Sequence, residues 1–106
     1  MKRGRPVGSL IRQRIVDILY YLGEGYGYLI HKIYRQAYGE CTREVVYYHL
    51  KKGISTGEII ESRINKEEGN FSWGGVVEKI YYKLGPSANP TMDENAHAAV
   101  QQLQNE

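Results

Sequence analysis

The sequence predicts an α+β fold: three short helices, then a β-hairpin, then one more helix at the C-terminal end. Two observations carry this. Apolar residues recur at helical spacing from Ser9 to about Lys52, and after Gly57 the pattern changes to strand-like alternation. The two β-rich stretches are separated by a glycine-containing segment, "NKEEGNFSWGG", which reads as a long hairpin loop. A two-stranded ribbon buries a core only by lying against helices, so the two halves of the pattern must pack on each other.

Ile11, Ile15, Ile18, Leu19 and Leu22 make one apolar face, and they predict a first helix over Ser9–Leu22 with Ser9 as its N-cap. Gly23-Glu24-Gly25 ends it. Leu29, Ile33 and Ala37, helped by Ile30 and Tyr34, predict a second helix over Tyr28–Tyr38, closed by Gly39-Glu40. "TREVVYYHLKK" predicts a third helix over Thr42–Lys52 with Val46 and Leu50 inward. Its other side carries Glu44, Tyr47, Tyr48, Lys51 and Lys52, with Arg43 at the N-terminal rim. Gly53 weakens that helix, and Ile54 is expected to supply its last core contact. "EIIESRI" and "VVEKIYYKL" form the strands, the second with Ile80, Tyr82 and Leu84 on one side and Lys79, Tyr81 and Lys83 on the other. Pro86 and Pro90 bracket a break. Thr91-Met92-Asp93-Glu94 then reads as a capping box opening a helix to about Gln104, with a narrow apolar stripe of Met92, Ala96, Ala99, Val100 and Leu103.

Net charge is only +2 over 106 residues, but it is unevenly spread. Met1–Gly85 holds all 14 cations and nine of the 12 acids, and Lys2, Arg3, Arg5, Arg12 and Arg14 precede the first acid, Asp17. A block of one sign suits a polyanion or a solvated terminus. No apolar run approaches the roughly 20 residues of a membrane span, and Arg12, Arg14 and Asp17 interrupt the segment after the basic start, so neither a span nor a signal peptide is expected. A single cysteine, Cys41, excludes an internal disulfide and fits a reducing compartment, which makes the expected location cytoplasmic, with the chromosome.

"TREVVYYHLKKGISTGEIIES" resembles the winged helix-turn-helix superfamily, where a third helix of Val-Tyr-Tyr-His-Leu-Lys-Lys character is followed by a glycine and the strand entering the wing. Here these are Val46 to Lys52 and Gly57. "KIYYKLG" (Lys79–Gly85) is similar to the strand leaving the wing in small prokaryotic or archaeal-type regulators. The likeness covers Ser9–Gly85 and departs at Gly53, where the family usually has a core leucine. The Leu-Lys-Lys-Gly…Gly-Glu-Ile pattern also resembles the linker-histone globular domain. Arg3-Gly4-Arg5-Pro6 resembles the core of an AT-hook, and Gly4-Arg5-Pro6 the minor-groove arm of invertase-type DNA-binding domains. The narrow A·T-rich minor groove has an enhanced negative potential that attracts such arginines.

The resemblance implies a winged helix-turn-helix DNA-binding protein, a transcription regulator or an architectural chromosome protein. It implies a flexible basic arm over 1–8, the winged-helix domain over 9–85, and a linker with a C-terminal helix over 86–106. The arm, through Arg3 and Arg5, would enter the minor groove, with Arg12 adding to the same basic block. Arg43, Tyr47, Tyr48 and Lys51 would face the major groove, with Lys52 nearer the phosphates. Arg63 and Lys66 would meet phosphate from the wing, where Glu67 and Glu68 oppose it and Phe71 and Trp73 are expected to fold over the sheet. The alternative is a winged-helix module for protein–protein interaction, docking through the tyrosines of the third helix. The C-terminal stripe suits packing on the first helix or a homodimer. No phosphate-binding loop, nucleophile motif or paired carboxylates occur, Asp17 and Glu24 reading as helix-surface acids, so no enzyme and no cofactor are expected. His31, Cys41 and His49 match no closed zinc pattern.

Overall fold

A computed structural model describes residues 7–68 and 76–105. The order is α1 (Val7–Leu22), β1 (Gly25–Tyr26), α2 (Gly27–Tyr38), α3 (Arg43–Thr56), β2 (Ile59–Glu68), β3 (Val76–Leu84) and α4 (Glu94–Gln104). The fold is α+β, with four helices and a three-stranded antiparallel sheet of order β1-β3-β2.

Helix α1 begins at Val7, two residues earlier than its apolar pattern, so Ser9 lies inside the helix and is not its N-cap. Five consecutive residues, Ile15 to Leu19, are buried. A run of that kind cannot come from one amphipathic face. It arises because α1 touches α2, α3, α4 and β3 and is enclosed on several sides. Each fully buried Ile or Leu there contributes roughly 1.5–3 kcal/mol relative to exposure.

Asp17 belongs to that run at 2% exposure, contrary to its reading as a surface acid. Its carboxylate accepts two hydrogen bonds from Thr91, from the backbone N–H at 2.7 Å and the hydroxyl at 2.6 Å. Thr91 is therefore not the cap of α4. The N-cap is Asp93, whose side chain does not bond the helix but accepts from the Tyr38 hydroxyl at 2.5 Å. Burial first, and then this bond to Asp93, raise the Tyr38 hydroxyl above its ordinary pKa. With the entry to α4 held by Asp17 and Tyr38, the helix lies on α1 and α2 and buries Ala96, Ala99 and Val100. The predicted stripe is thus covered within the chain, and only Met92, at φ 58°, stands out from it.

Thr42 caps α3, its hydroxyl accepting from the Val45 N–H at 3.2 Å. The helix continues through Gly53 to Thr56 and ends on Gly57, whose left-handed φ of 87° suits glycine. Gly53 is buried because Ile59 takes the space a side chain would need: an added Cβ would lie 2.5 Å from Ile59 Cδ1. Ile59, not the exposed Ile54, closes the core at this end of α3.

Strand β2 runs further than predicted. Asn65–Glu68, assigned to the loop, pairs with Lys79–Val76. The register shifts between Glu61 and Arg63, so Ser62 is the extra residue of a bulge. On β3, Tyr82 is buried and Ile80 and Leu84 pack beside the core, as the alternation predicted. The two-residue strand β1, too short to carry a period, adds Gly25 and Tyr26 opposite Tyr82 and Tyr81.

Candidate functional site

Helix α3 divides into two faces. Val46, His49, Leu50 and Gly53 are buried, whereas Arg43, Tyr47, Tyr48, Lys51 and Lys52 are exposed. Among the described residues, no carboxylate lies within ion-pair distance of Arg43, Lys51 or Lys52. Glu44, on the same helix, is in the first turn, where the helix dipole favours an acid.

Arg12, Arg63 and Lys66 each have an acid within ion-pair distance. Arg12 reaches Glu58 at 2.8 Å and lies 3.4 Å from His49 Nδ1, so it braces α1 against α3 and the start of β2. This makes Arg12 a scaffold residue, distinct from the exposed α3 set. Arg63 bonds Glu24 at 3.0 Å and lies 3.9 Å over the Tyr81 ring, and Lys66 is 3.9 Å from Glu78. Both stand on β2, away from α3, and a phosphate there would compete with a carboxylate already in place. Arg3, Arg5, Phe71 and Trp73 lie outside the described residues.

Glu24 differs from its reading as an ordinary surface acid. It accepts from the Ser62 hydroxyl as well as from Arg63. The Ser62 bond first, and then Arg63, hold its carboxyl below its ordinary pKa. This carboxylate ties the α1–β1 connection to the bulge of β2.

Between α3 and the hairpin runs a groove of about 430 Å³, lined by Tyr26, Gly27, Tyr28, Tyr47, Glu78, Lys79, Ile80 and Tyr82. Tyr47 reaches across it onto the N-terminus of α2. A Cβ on Gly27 would lie 2.1 Å from the Tyr47 ring, so only glycine allows that approach. Tyr82 forms the floor at 7% exposure, and burial is the chief reason its hydroxyl pKa is raised, with Glu61 and Tyr47 adding to it. Sequence reasoning missed the groove because its tyrosines come from four separate elements. The clustering of tyrosines over phenylalanine was its only trace. A second groove, of about 400 Å³ along α2, holds Lys32 and Arg35, which the sequence reading also passed over.

No group of three or more metal-binding side chains occurs among the described residues. His31 Nε2 donates to the Cys41 carbonyl at 2.5 Å, burial pushes the Cys41 thiol pKa up, and His49 is held low by burial first and the Arg12 charge second. Among the described residues, no helix is long and apolar enough to cross a membrane. No family model, curated protein or solved structure matches the chain.

Proposed function

We propose that the chain is a small winged helix-turn-helix protein that binds duplex DNA, with α3 in the major groove and β2–β3 as the wing. It serves as a transcription regulator or an architectural protein of the chromosome. The observation that carries this reading is the contrast among cations. Arg12 and Arg63 are bonded to carboxylates and Arg35 and Lys66 lie within 4 Å of one, while Arg43, Lys51 and Lys52 stand exposed together on one helix without one; the other exposed lysines without one among the described residues, Lys32 and Lys83, lie singly on α2 and β3. Unneutralised cations on a rigid helix are what a phosphate backbone takes up, at a salt slope of about −0.9 per phosphate. In this reading Arg43 reads a guanine edge, and Tyr47 and Tyr48 offer hydroxyls to phosphate or sugar. Arg3 and Arg5 precede α1 closely enough for a minor-groove arm attached directly to the domain. Fluorescence anisotropy with a random-sequence duplex at low salt tests it: Arg43→Ala, Lys51→Ala and Lys52→Ala should each weaken binding, and absence of binding by the wild type would refute it.

A second reading has one observation in its favour. Tyr47, Tyr48 and Ile54 all expose apolar surface on α3, as a protein-docking face does. Under that reading the same alanine variants bind DNA no differently from wild type.

A further inference from the structure

The floor of the tyrosine groove holds a polar group without a partner. Tyr82 is more than nine-tenths buried, yet its hydroxyl makes no hydrogen bond among the described residues. Buried polar groups are normally satisfied, and an orphan calls for an explanation. The groove that Tyr82 lines also contains the start of α2. That helix has no side-chain cap at Tyr26 and no acid in its first turn, so its leading N–H groups are donors without a side-chain acceptor. Gly27 carries no side chain of its own, and the Tyr47 ring lies against it and closes that side of the groove. The walls are the rings of Tyr26, Tyr28 and Tyr47. Glu78, the one acid in the lining, is drawn toward Lys66, and Lys79 lies over the Tyr26 ring at 4.7 Å.

We propose that this groove is a binding site for a small organic anion, a phosphate or carboxylate joined to a flat aromatic body, with the anionic oxygens taken by the Tyr82 hydroxyl and the first-turn amides of α2. The first-turn amides are donors and the Tyr82 hydroxyl can donate, which suits acceptor oxygens, and these two together must outweigh the Glu61 charge that also acts on that hydroxyl. The tyrosine walls select a planar body. The volume of about 430 Å³ lies in the range of small-molecule pockets. The raised pKa of Tyr82 keeps its hydroxyl protonated, and so a donor, at neutral pH. A nucleotide of DNA presents the same chemistry, a phosphate beside a planar ring. We assign the site to the free small molecule because Tyr82, which carries the orphan hydroxyl, is more than nine-tenths buried. The site does not depend on α3 binding DNA.

The test titrates phenyl phosphate into the full chain and follows backbone amide shifts by NMR, with phenol and inorganic phosphate run separately. Phenyl phosphate should give a saturable shift at Tyr28 and Leu29, and each half-ligand should bind at least about tenfold more weakly. Tyr82→Phe removes only the oxygen. It should weaken phenyl phosphate about tenfold, the loss of one hydrogen bond to a charged group. At the same time it should leave the unfolding midpoint of the free protein unchanged or higher, since the hydroxyl it removes has no partner. Gly27→Ala, which forces the Tyr47 ring to move, provides a second blocked variant. Absence of a saturable shift, equal affinity for inorganic phosphate, or an unchanged affinity in Tyr82→Phe would each overturn the proposal. So would movement of the Tyr28 and Leu29 amides with duplex DNA and not with phenyl phosphate, which would give the donors to a backbone nucleotide.

Discussion

Asp17→Ala is the substitution whose effect the fold defines most sharply. Its carboxylate is buried in the middle of α1, and the only hydrogen bonds it makes among the described residues are the two from Thr91. Hydrogen bonds to a charged group contribute about 1.5–3 kcal/mol each, so the gross loss is about 3–6 kcal/mol. Thr91 is itself exposed, so its freed donors return to water and recover part of that. A net loss of about 2–4 kcal/mol remains. At about 4–8 °C per kcal/mol for a domain near this size, Tm should fall by about 8–32 °C. Asp17→Asn keeps the shape but loses the charge and one acceptor, and should fall between alanine and wild type. A double-mutant cycle with Thr91→Val should return a coupling of at least about 1 kcal/mol. A Tm for Asp17→Ala within about 2 °C of wild type would refute the reasoning. It would mean that the entry to α4 is held by something other than this contact.

The remaining expectations concern α3 and the arm. Gly53→Ala gains about 1 kcal/mol of helix propensity but overpacks Ile59 by about 1–3 kcal/mol, so urea denaturation should show a net loss. The loss should shrink in an Ile59→Val background, which lacks the Cδ1 atom that the new methyl would meet. For His49, the folded-state pKa lies below the ordinary 6.5 because of burial and Arg12. The unfolded chain therefore takes up the proton first, and stability falls as pH drops below about 6.5 and through the folded value, then levels off. His49→Gln should flatten that part of a stability–pH curve, and an unchanged curve would contradict the assignment. Arg5→Ala should reduce the preference for A·T-rich duplexes in competition binding and leave Tm unchanged.

The apolar periods were enough to give α1, α2 and α3 their inward faces, because each buries residues spaced three and four apart. The change to alternation after Gly57 was enough to place the hairpin. What could not be read were contacts between distant parts of the chain. Asp17 and Thr91 are 74 residues apart, and nothing local distinguishes a buried aspartate from a solvated one. Val16 did carry a signal: with its neighbours it makes α1 apolar around more of its circumference than one face requires. Gly53 looked like a weakness in α3 because the side chain that fills its space, Ile59, belongs to the next strand. β2 outran its pattern because its end is fixed by pairing with β3, which acidic residues at 67 and 68 do not prevent. For the candidate site, the exposed face of α3 followed from helical spacing alone. The neutralisation of Arg12, Arg63 and Lys66 depended on where Glu58, Glu24 and Glu78 fall in three dimensions.

The most direct test of the proposed function is the salt dependence of duplex DNA binding, measured by anisotropy for the wild type and for the Lys51→Glu/Lys52→Glu double variant. The account predicts that log K falls linearly with log salt for the wild type, and that the variant loses about 2 from the magnitude of that slope along with most of its affinity. A wild-type affinity that does not respond to salt, or a variant whose slope and affinity equal those of the wild type, would contradict it.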